Sequence, residues 1–365
     1  MILHRYFSRR FLMSFASMFG VFLLLQGFID LVEQGRRFSG TDAGPSQIIA
    51  LTLLNLPQAL YELLPLVTVL SAIALFLALS RSSELVVARA AGRSALRAFL
   101  GPLLMTLLIG LVAVALFNPI VAATLKEYET RSSNLRENRS SILSISDDGL
   151  WLRQGDAARQ TVIRAEATNL DGTVLRQVTF ITFAAEQGPV RRIEAARAEL
   201  AEGAWVLTDA KSWPLSDARV SEQWATTHDS LRIPSSLSAD QIRDSFGTPS
   251  SIPVWDLPAF IDRLESAGFS ALRHRVWFQM ELAQPLFLCA MVLIAAGFTM
   301  RPQRGRRVGL LVLTAVVLSF GLYFLRNFAQ ILGDNGQIPV ALAAWAPPVA
   351  GIAAALGLLL HLEDG

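Results

Sequence analysis

Hydrophobic and polar positions divide the chain into long apolar runs and one extended polar interval. Apolar runs lie near residues 11–32, 57–80, 98–122, 276–300, 307–332 and 338–361. As helices of roughly 20 residues, each is long enough to cross about 30 Å of hydrocarbon. The pattern predicts six spans, three before the polar interval and three after it. Inside the interval the period shortens to two: GLWLRQ, QTVIRAE, TVLRQVTFITF, VRRIEAARAEL and AWVLTDAKSW are short alternating runs. Asp148-Gly149 and Asp171-Gly172 supply turn signals between them. Strands at this spacing predict a sandwich or jelly roll. From about residue 235 the chain becomes a Pro- and Ser-rich linker, followed by DLPAFIDRLESAG. There Asp256 can cap a short helix and Gly268 can end it. The fold class expected is an α-helical polytopic membrane protein, six transmembrane helices in a 3+3 arrangement, with an inserted all-β, jelly-roll-like domain. The expected divisions are 1–122, 123–275 and 276–365.

Composition agrees with a membrane protein: of 365 residues, 52% are hydrophobic and 17% charged, with a mean hydropathy of +0.43. The net charge of +2 is spread along the whole length, which points away from nucleic-acid binding. Arginine placement is more informative, because short cytoplasmic loops collect Lys and Arg. HRYFSRR, RSSELVVARAAGRSALR and RPQRGRR hold three, four and four arginines, against only Arg36 and Arg37 on the opposite side. Eleven against two predicts cytoplasmic termini and an extracytoplasmic β domain. The first span follows a basic segment but has no small-residue cleavage site, so it reads as an anchor. Cys289 is the only cysteine, which excludes an intrachain disulfide.

Reactive chemistry is sparse. The four histidines, His4, His228, His274 and His361, have no metal-ligand spacing, and no catalytic or metal site is expected. Neither lysine, Lys126 or Lys211, belongs to a phosphate-binding G-x-x-x-x-G-K-[ST] loop, and no G-x-S-x-G elbow is present. The chain is therefore expected to carry no cofactor of its own. Polar residues near the spans are Asp30, Glu33, Glu62, Arg326 and Asn327. Arg326 either snorkels to the headgroups or lines a cavity.

The interval RSSELVVARAAGRSALR, residues 81–97, carries a helical pattern over about 82–92, with Gly92 as its stop and Ser94 as a cap for the third span. At 100° per residue Glu84 shares a face with Val87, Ala88 and Ala91, while Arg89 points away. Two readings stand: Glu84 complements the dipole of its own helix, or the small face enters a groove on a soluble protein, where Glu84 meets a basic side chain.

SELVVARAAGRS, preceded by the P-x-x-x-L pattern of the second span, resembles the coupling-helix region of the LptF/LptG family, the permease subunits of the lipopolysaccharide-export ABC transporter. RYFSRRFL, DLVEQ, GLW and the 3+3 layout agree, and DLVEQ with Leu85-Val86-Val87 leans toward the LptG-like member. The resemblance implies a non-catalytic inner-membrane subunit with a periplasmic β domain. Its partners would be an LptF-like subunit, an LptB-like ATPase dimer that binds ATP-Mg, an LptC-like bitopic protein and lipopolysaccharide. It also implies that Glu84 docks in the ATPase groove beside Val87, Ala88 and Ala91, and that spans one and five gate access to the lipid. Basic residues at the outer end of the first span and after the third would meet lipid phosphates. Here those are Arg36, Arg37, Lys126 and Arg131, with Arg326 a cavity-side candidate and Asp30 standing where a base is expected. Two other classes fit the residues less closely: a scaffold or receptor anchored by its spans, and a proton-coupled secondary transporter using Glu62 or Asp30.

Overall fold

The computed structural model describes residues 2–39, 43–82, 84, 95–135, 143–146, 149–155, 159–169, 172–184, 188–201, 203–215, 221–235, 237, 242, 248–266, 269–299 and 308–363. The helices are α1 (Ile2–Arg37), α2 (Pro45–Arg81), α3 (Ala95–Val112), a π segment (Ala113–Phe117) running into α4 (Asn118–Leu135), α5 (Leu257–Ser266), α6 (Leu272–Thr299), α7 (Val308–Asp334) and α8 (Val340–Glu363). Six helical spans among the described residues are long and apolar enough to cross a membrane, the third being α3, the π segment and α4 together. All six expected spans are present, and most extend beyond the apolar run that announced them. The third continues to Leu135, so the helical unit reaches past residue 122. The chain divides into two compact units, Met1–Arg136, Ser250–Trp255 and Leu272–Gly365 in one, and Glu137–Pro249 with Asp256–Ala271 in the other.

In the helical unit α6 is the central element, packed against α2, α3, α7 and α8. Apolar side chains are as comfortable in lipid as against one another, so close packing requires small residues where backbones meet. A Cβ on Gly110 of α3 would lie 2.6 Å from Pro285 Cα of α6, and one on Gly351 of α8 would lie 2.5 Å from Leu322 Cδ2 of α7. Pro57, Pro65, Pro102, Pro285, Pro347 and Pro348 all lie inside helices. Membrane helices tolerate such prolines because neighbouring groups satisfy the freed carbonyls.

The β unit is one antiparallel sheet of seven strands in sequence order: β1 (Leu143–Ser146), β2 (Gly149–Gly155), β3 (Arg159–Thr168), β4 (Val174–Ala184), β5 (Gly188–Ala201), β6 (Ala204–Pro214) and β7 (Thr226–Pro234). This meander differs from the Greek-key order of a strict jelly roll. The apolar interior expected of a two-layered β domain is nonetheless present, because the sheet rolls over on itself. Gln154 of β2 accepts from Trp205 Nε1 of β6 at 3.3 Å and from Ser235 Oγ at 2.7 Å, and donates to the Pro234 carbonyl ending β7 at 3.3 Å. One face thus buries Leu150, Leu152, Ile163, Phe180, Ile193 and Trp205. At the β3–β4 turn Gly172 has φ of +72°, a conformation suited to glycine, and a Cβ there would meet Ile242 at 2.7 Å. Asn169 holds the same turn by accepting from Thr173 N and Val174 N at 2.9 and 3.0 Å. The short helix α5 forms where DLPAF predicts it, burying Leu257, Ile261 and Leu264; Gly268 lies outside the described residues.

Trp205 is fully buried and lies edge-on to Phe180, 6.3 Å between centroids. Trp205→Ala is expected to destabilise the β unit by about 3–5 kcal/mol, since it leaves a cavity and strips Gln154 of a donor. Limited proteolysis of the full chain should then cut between residues 143 and 235 at protease doses that spare the parent.

Candidate functional site

Three sets of described polar groups in the helical unit contain the residues expected to function. The first follows the end of α2, where the backbone leaves the helix at Ser82. Glu84 accepts from Arg10 Nη1 of α1 at 2.9 Å and from Ser82 Oγ at 2.9 Å. Arg10 also lies over the Tyr6 ring, 5.1 Å from its centroid. The carboxylate is therefore tied to the start of the first span, a partner that neither sequence reading contained. Arg10 lies 74 positions away in the chain, and only the packing of α1 beside α2 brings it there. Val87, Ala88 and Ala91 lie outside the described residues.

The second set gathers at the far end of α1. Gln34 and Arg37 both donate to Tyr128 Oη of α4 at 3.0 Å, and Asp30 Oδ1 accepts from Asn55 Nδ2 of α2 at 2.8 Å. Asp30 and Gln34 are buried, so this web fixes the exit of the first span against the second and third. Four of the expected lipid-contact residues come together around it. Arg36 pairs with Glu33 at 2.9 Å and Arg131 with Glu127 at 2.6 Å, while Arg37 uses the Tyr128 hydroxyl. Lys126 is exposed, and its ammonium makes no ion pair or hydrogen bond with a described residue. Asp30 Oδ1 accepts from two amide side chains, Gln34 Nε2 at 3.4 Å and Asn55 Nδ2 at 2.8 Å.

Arg326 of α7, half-buried, belongs to the third set. Its guanidinium lies 4.9 Å from the centroid of Phe287 of α6, the helix that also carries Glu281. Glu281 is 1% exposed and accepts a hydrogen bond from the Tyr61 hydroxyl of α2. The buried Asn118, first residue of α4, accepts through Oδ1 from the backbone N–H of Val254 at 2.9 Å. Sequence reasoning missed Glu281, although QMELAQP carried its signal: an ionisable residue within an apolar run warrants a search for its counter-charge.

An apolar cleft opens between α2 and α7, lined by Leu63, Leu66 and Val69 on one side and Val316, Phe320 and Tyr323 on the other, with Glu62 at its rim. Glu62 is exposed and accepts from Gln58 at 3.1 Å. On α1, Leu24, Phe28 and Val32 are 74%, 68% and 57% exposed; on α7, Phe320, Phe324 and Ile331 are 65%, 66% and 57% exposed. Both helices therefore present aromatic and aliphatic rows that the other described residues leave exposed. Among the described residues no group of His, Cys, Asp and Glu is arranged to hold a metal ion.

Comparison with known proteins covers the same features end to end. The family model described as "Lipopolysaccharide export system permease LptF/LptG" matches residues 5–361. The permease protein LptG of the lipopolysaccharide export system of Haemophilus influenzae is 25% identical over 385 residues, covering 99% of each chain. Its counterpart in Escherichia coli K12 is 23% identical over 364 residues, covering 96% of this chain and 93% of that protein. With six spans, an inserted β unit and a match along nearly its whole length, the chain belongs to the LptF/LptG family of lipopolysaccharide export system permeases.

Proposed function

We propose that this chain is the LptG-like permease subunit of an inner-membrane ABC transporter that extracts lipopolysaccharide and passes it to a periplasmic bridge for outer-membrane assembly. The full-length family match carries this reading, and the uncovered apolar rows of α1 and α7 support it. A permease that admits a lipid from the side needs helices whose faces its own fold leaves open. The partners inferred are an LptF-like permease, an LptB-like ATPase dimer and an LptC-like bitopic protein. ATP-Mg is bound by the ATPase, and this chain supplies no catalytic group. Both termini face the cytoplasm and the β unit the periplasm, as the arginine bias favours.

Each set of side chains has a task in this scheme. Glu84 meets the ATPase while remaining tied to Arg10, so a shift of the ATPase-facing segment pulls on the start of α1. At the other end of α1, Arg36, Arg37, Lys126 and Arg131 receive lipid phosphates through charge-assisted contacts. The cleft between α2 and α7 offers apolar walls to acyl chains.

Lys126 tests the phosphate assignment, because its charge is not committed to a described partner. Lys126→Glu is expected to reduce photo-crosslinking of lipopolysaccharide to the intact complex roughly tenfold or more, the scale of one lost charge-assisted contact. Arg176→Glu, on an exposed position of β4, should change it little. Equal losses in the two variants would remove Lys126 from the site.

A further inference from the structure

The cleft between α2 and α7 has an apolar lining with polar groups set into it. Val69 and Met291, 2% and 1% exposed, are its most buried walls, flanked by Leu66 of α2 and by Val316 and Phe320 of α7. Its volume is about 130 Å³. That is close to the roughly 150 Å³ of an engineered apolar cavity that accepts benzene, so the space takes one ring or a short stretch of aliphatic chain.

One polar group is the hydroxyl of Ser319 on α7. Ser319 is 5% exposed and lines the cleft, yet its Oγ has no hydrogen-bond partner among the described residues. Two other buried hydroxyls of the spans turn back to their own helix: Ser71 Oγ donates to the Val67 carbonyl and Thr299 Oγ1 to the Ala295 carbonyl, both at 2.6 Å. Such back-bonding is how a hydroxyl inside a helix ordinarily satisfies itself. A buried hydroxyl that forgoes it calls for a partner from outside the fold. Water fits poorly, because it needs two or more polar partners and the lining is mostly apolar.

Another is the carboxylate of Glu62 at the rim. Glu62 lies inside the apolar run 57–80, is exposed, and among the described residues accepts only from the neutral amide of Gln58. A carboxylate at the level of hydrocarbon is costly unless a counter-charge reaches it. Glu62 and Val69 are seven positions apart, about 10 Å along α2. An unpaired negative charge thus borders an apolar space that holds an unsatisfied hydroxyl.

We propose that this cleft is a binding site for an amine-bearing amphiphile. Its ammonium pairs with Glu62, an aliphatic segment fills the space beside Val69 and Met291, and an oxygen within the tail accepts from Ser319 Oγ. Charge decides the class. A chain ending in a carboxylate would bring a second negative charge to Glu62, and an uncharged chain would leave Glu62 unpaired. The site rests on the residues of this chain and not on the proposed function; where acyl chains use the cleft, such an amphiphile competes with them.

The test photolabels the full chain in phosphatidylcholine nanodiscs with three probes that share a tail carrying one ether oxygen and a diazirine. They end in a primary amine, an alcohol or a carboxylate, and mass spectrometry locates the labelled residues. The exposed row of Leu24, Phe28 and Val32 on α1 reports labelling from the bulk lipid. Relative to that row, the amine probe is expected to label the cleft roughly tenfold more than the alcohol, the scale of one charge-assisted contact. Glu62→Gln keeps an oxygen for Gln58 and should reduce the amine probe to the level of the alcohol. Ser319→Ala should lower amine labelling about threefold, through loss of one neutral hydrogen bond. Neither substitution removes a packing contact of the core, since Glu62 is exposed and the Ser319 hydroxyl has no described partner. Equal labelling by the three probes overturns the site, and so does amine labelling that Glu62→Gln or Ser319→Ala leaves unchanged. The comparison is repeated on the complex purified from membranes. Amine labelling present in the chain alone and lost in the complex would give Glu62 to a partner's cation and overturn the ligand site. Lipopolysaccharide that fails to displace the amine probe would refute the acyl-chain role of the cleft and not the amine site.

Discussion

Replacing Glu84 by alanine is expected to weaken association of this chain with its ATPase by roughly ten- to a hundredfold, the equivalent of about 1.5–3 kcal/mol for a hydrogen bond to a charged group. Release of lipopolysaccharide should fall in step. The Arg10–Glu84 bridge makes the comparison with Arg10→Ala decisive. Both side chains are partly exposed, at 37% and 28%, so the bridge itself contributes no more than about 1 kcal/mol to stability. Arg10→Ala therefore leaves Glu84 free to meet the ATPase and should retain its association. It should nonetheless lower lipid release per ATP hydrolysed, because the connection to the first span is cut. Co-purification measures association, and coupled hydrolysis and release assays measure the rest. Should Glu84→Ala retain full association and release, the residue does no more than close the end of its own helical segment.

Gly110→Leu is expected to abolish assembly of the helical unit. A Cβ at that position would already lie 2.6 Å from Pro285 Cα and 2.9 Å from Pro285 Cβ. Pro285 is backbone and ring within a helix, so it cannot rotate aside as a long side chain would. Even Gly110→Ala must push α3 and α6 apart, at about 1–3 kcal/mol for overpacking a tight contact. Leucine adds three further carbons to the same clash. Gly20 and Gly309 have open space around the equivalent position, so leucine there should leave the protein monodisperse in detergent. Size-exclusion profiles and thermal melting of the three variants provide the measurement, and a well-folded Gly110→Leu protein would contradict the packing of α3 on α6.

The layout of the protein was legible because its signals are local and long. A run of some 20 apolar residues has few alternatives in water or lipid, and period-two alternation bounded by Asp-Gly turns marks strands with equal economy. The six spans, the β insertion and the short helix α5 all follow from such runs. Charge bias along the loops is likewise readable residue by residue, and it supplies the orientation used in the proposed function. Strand order is less local. The same alternating runs suit a Greek key or a meander, and Gln154 meeting Trp205 and Pro234 reveals a rolled meander only after folding.

The candidate site divides along the same line. Arg36, Arg37, Lys126 and Arg131 were expected from the family resemblance, and α1 and α4 bring them to one end of the bundle. Arg326 was recognised as a polar residue in an apolar helix, yet its counter-charge was not. Glu281 precedes it by 45 positions on a different helix, and only the packing of α6 against α7 brings the two into one region. Arg10 and Glu84 are separated still further along the chain. The sequence by itself determined which segments enter the membrane and where the β insertion lies, since those depend on hydrophobic period and length. Only the tertiary structure decided which charges compensate one another, because burying an ion demands a partner in space and the chain is free to bring that partner from any helix.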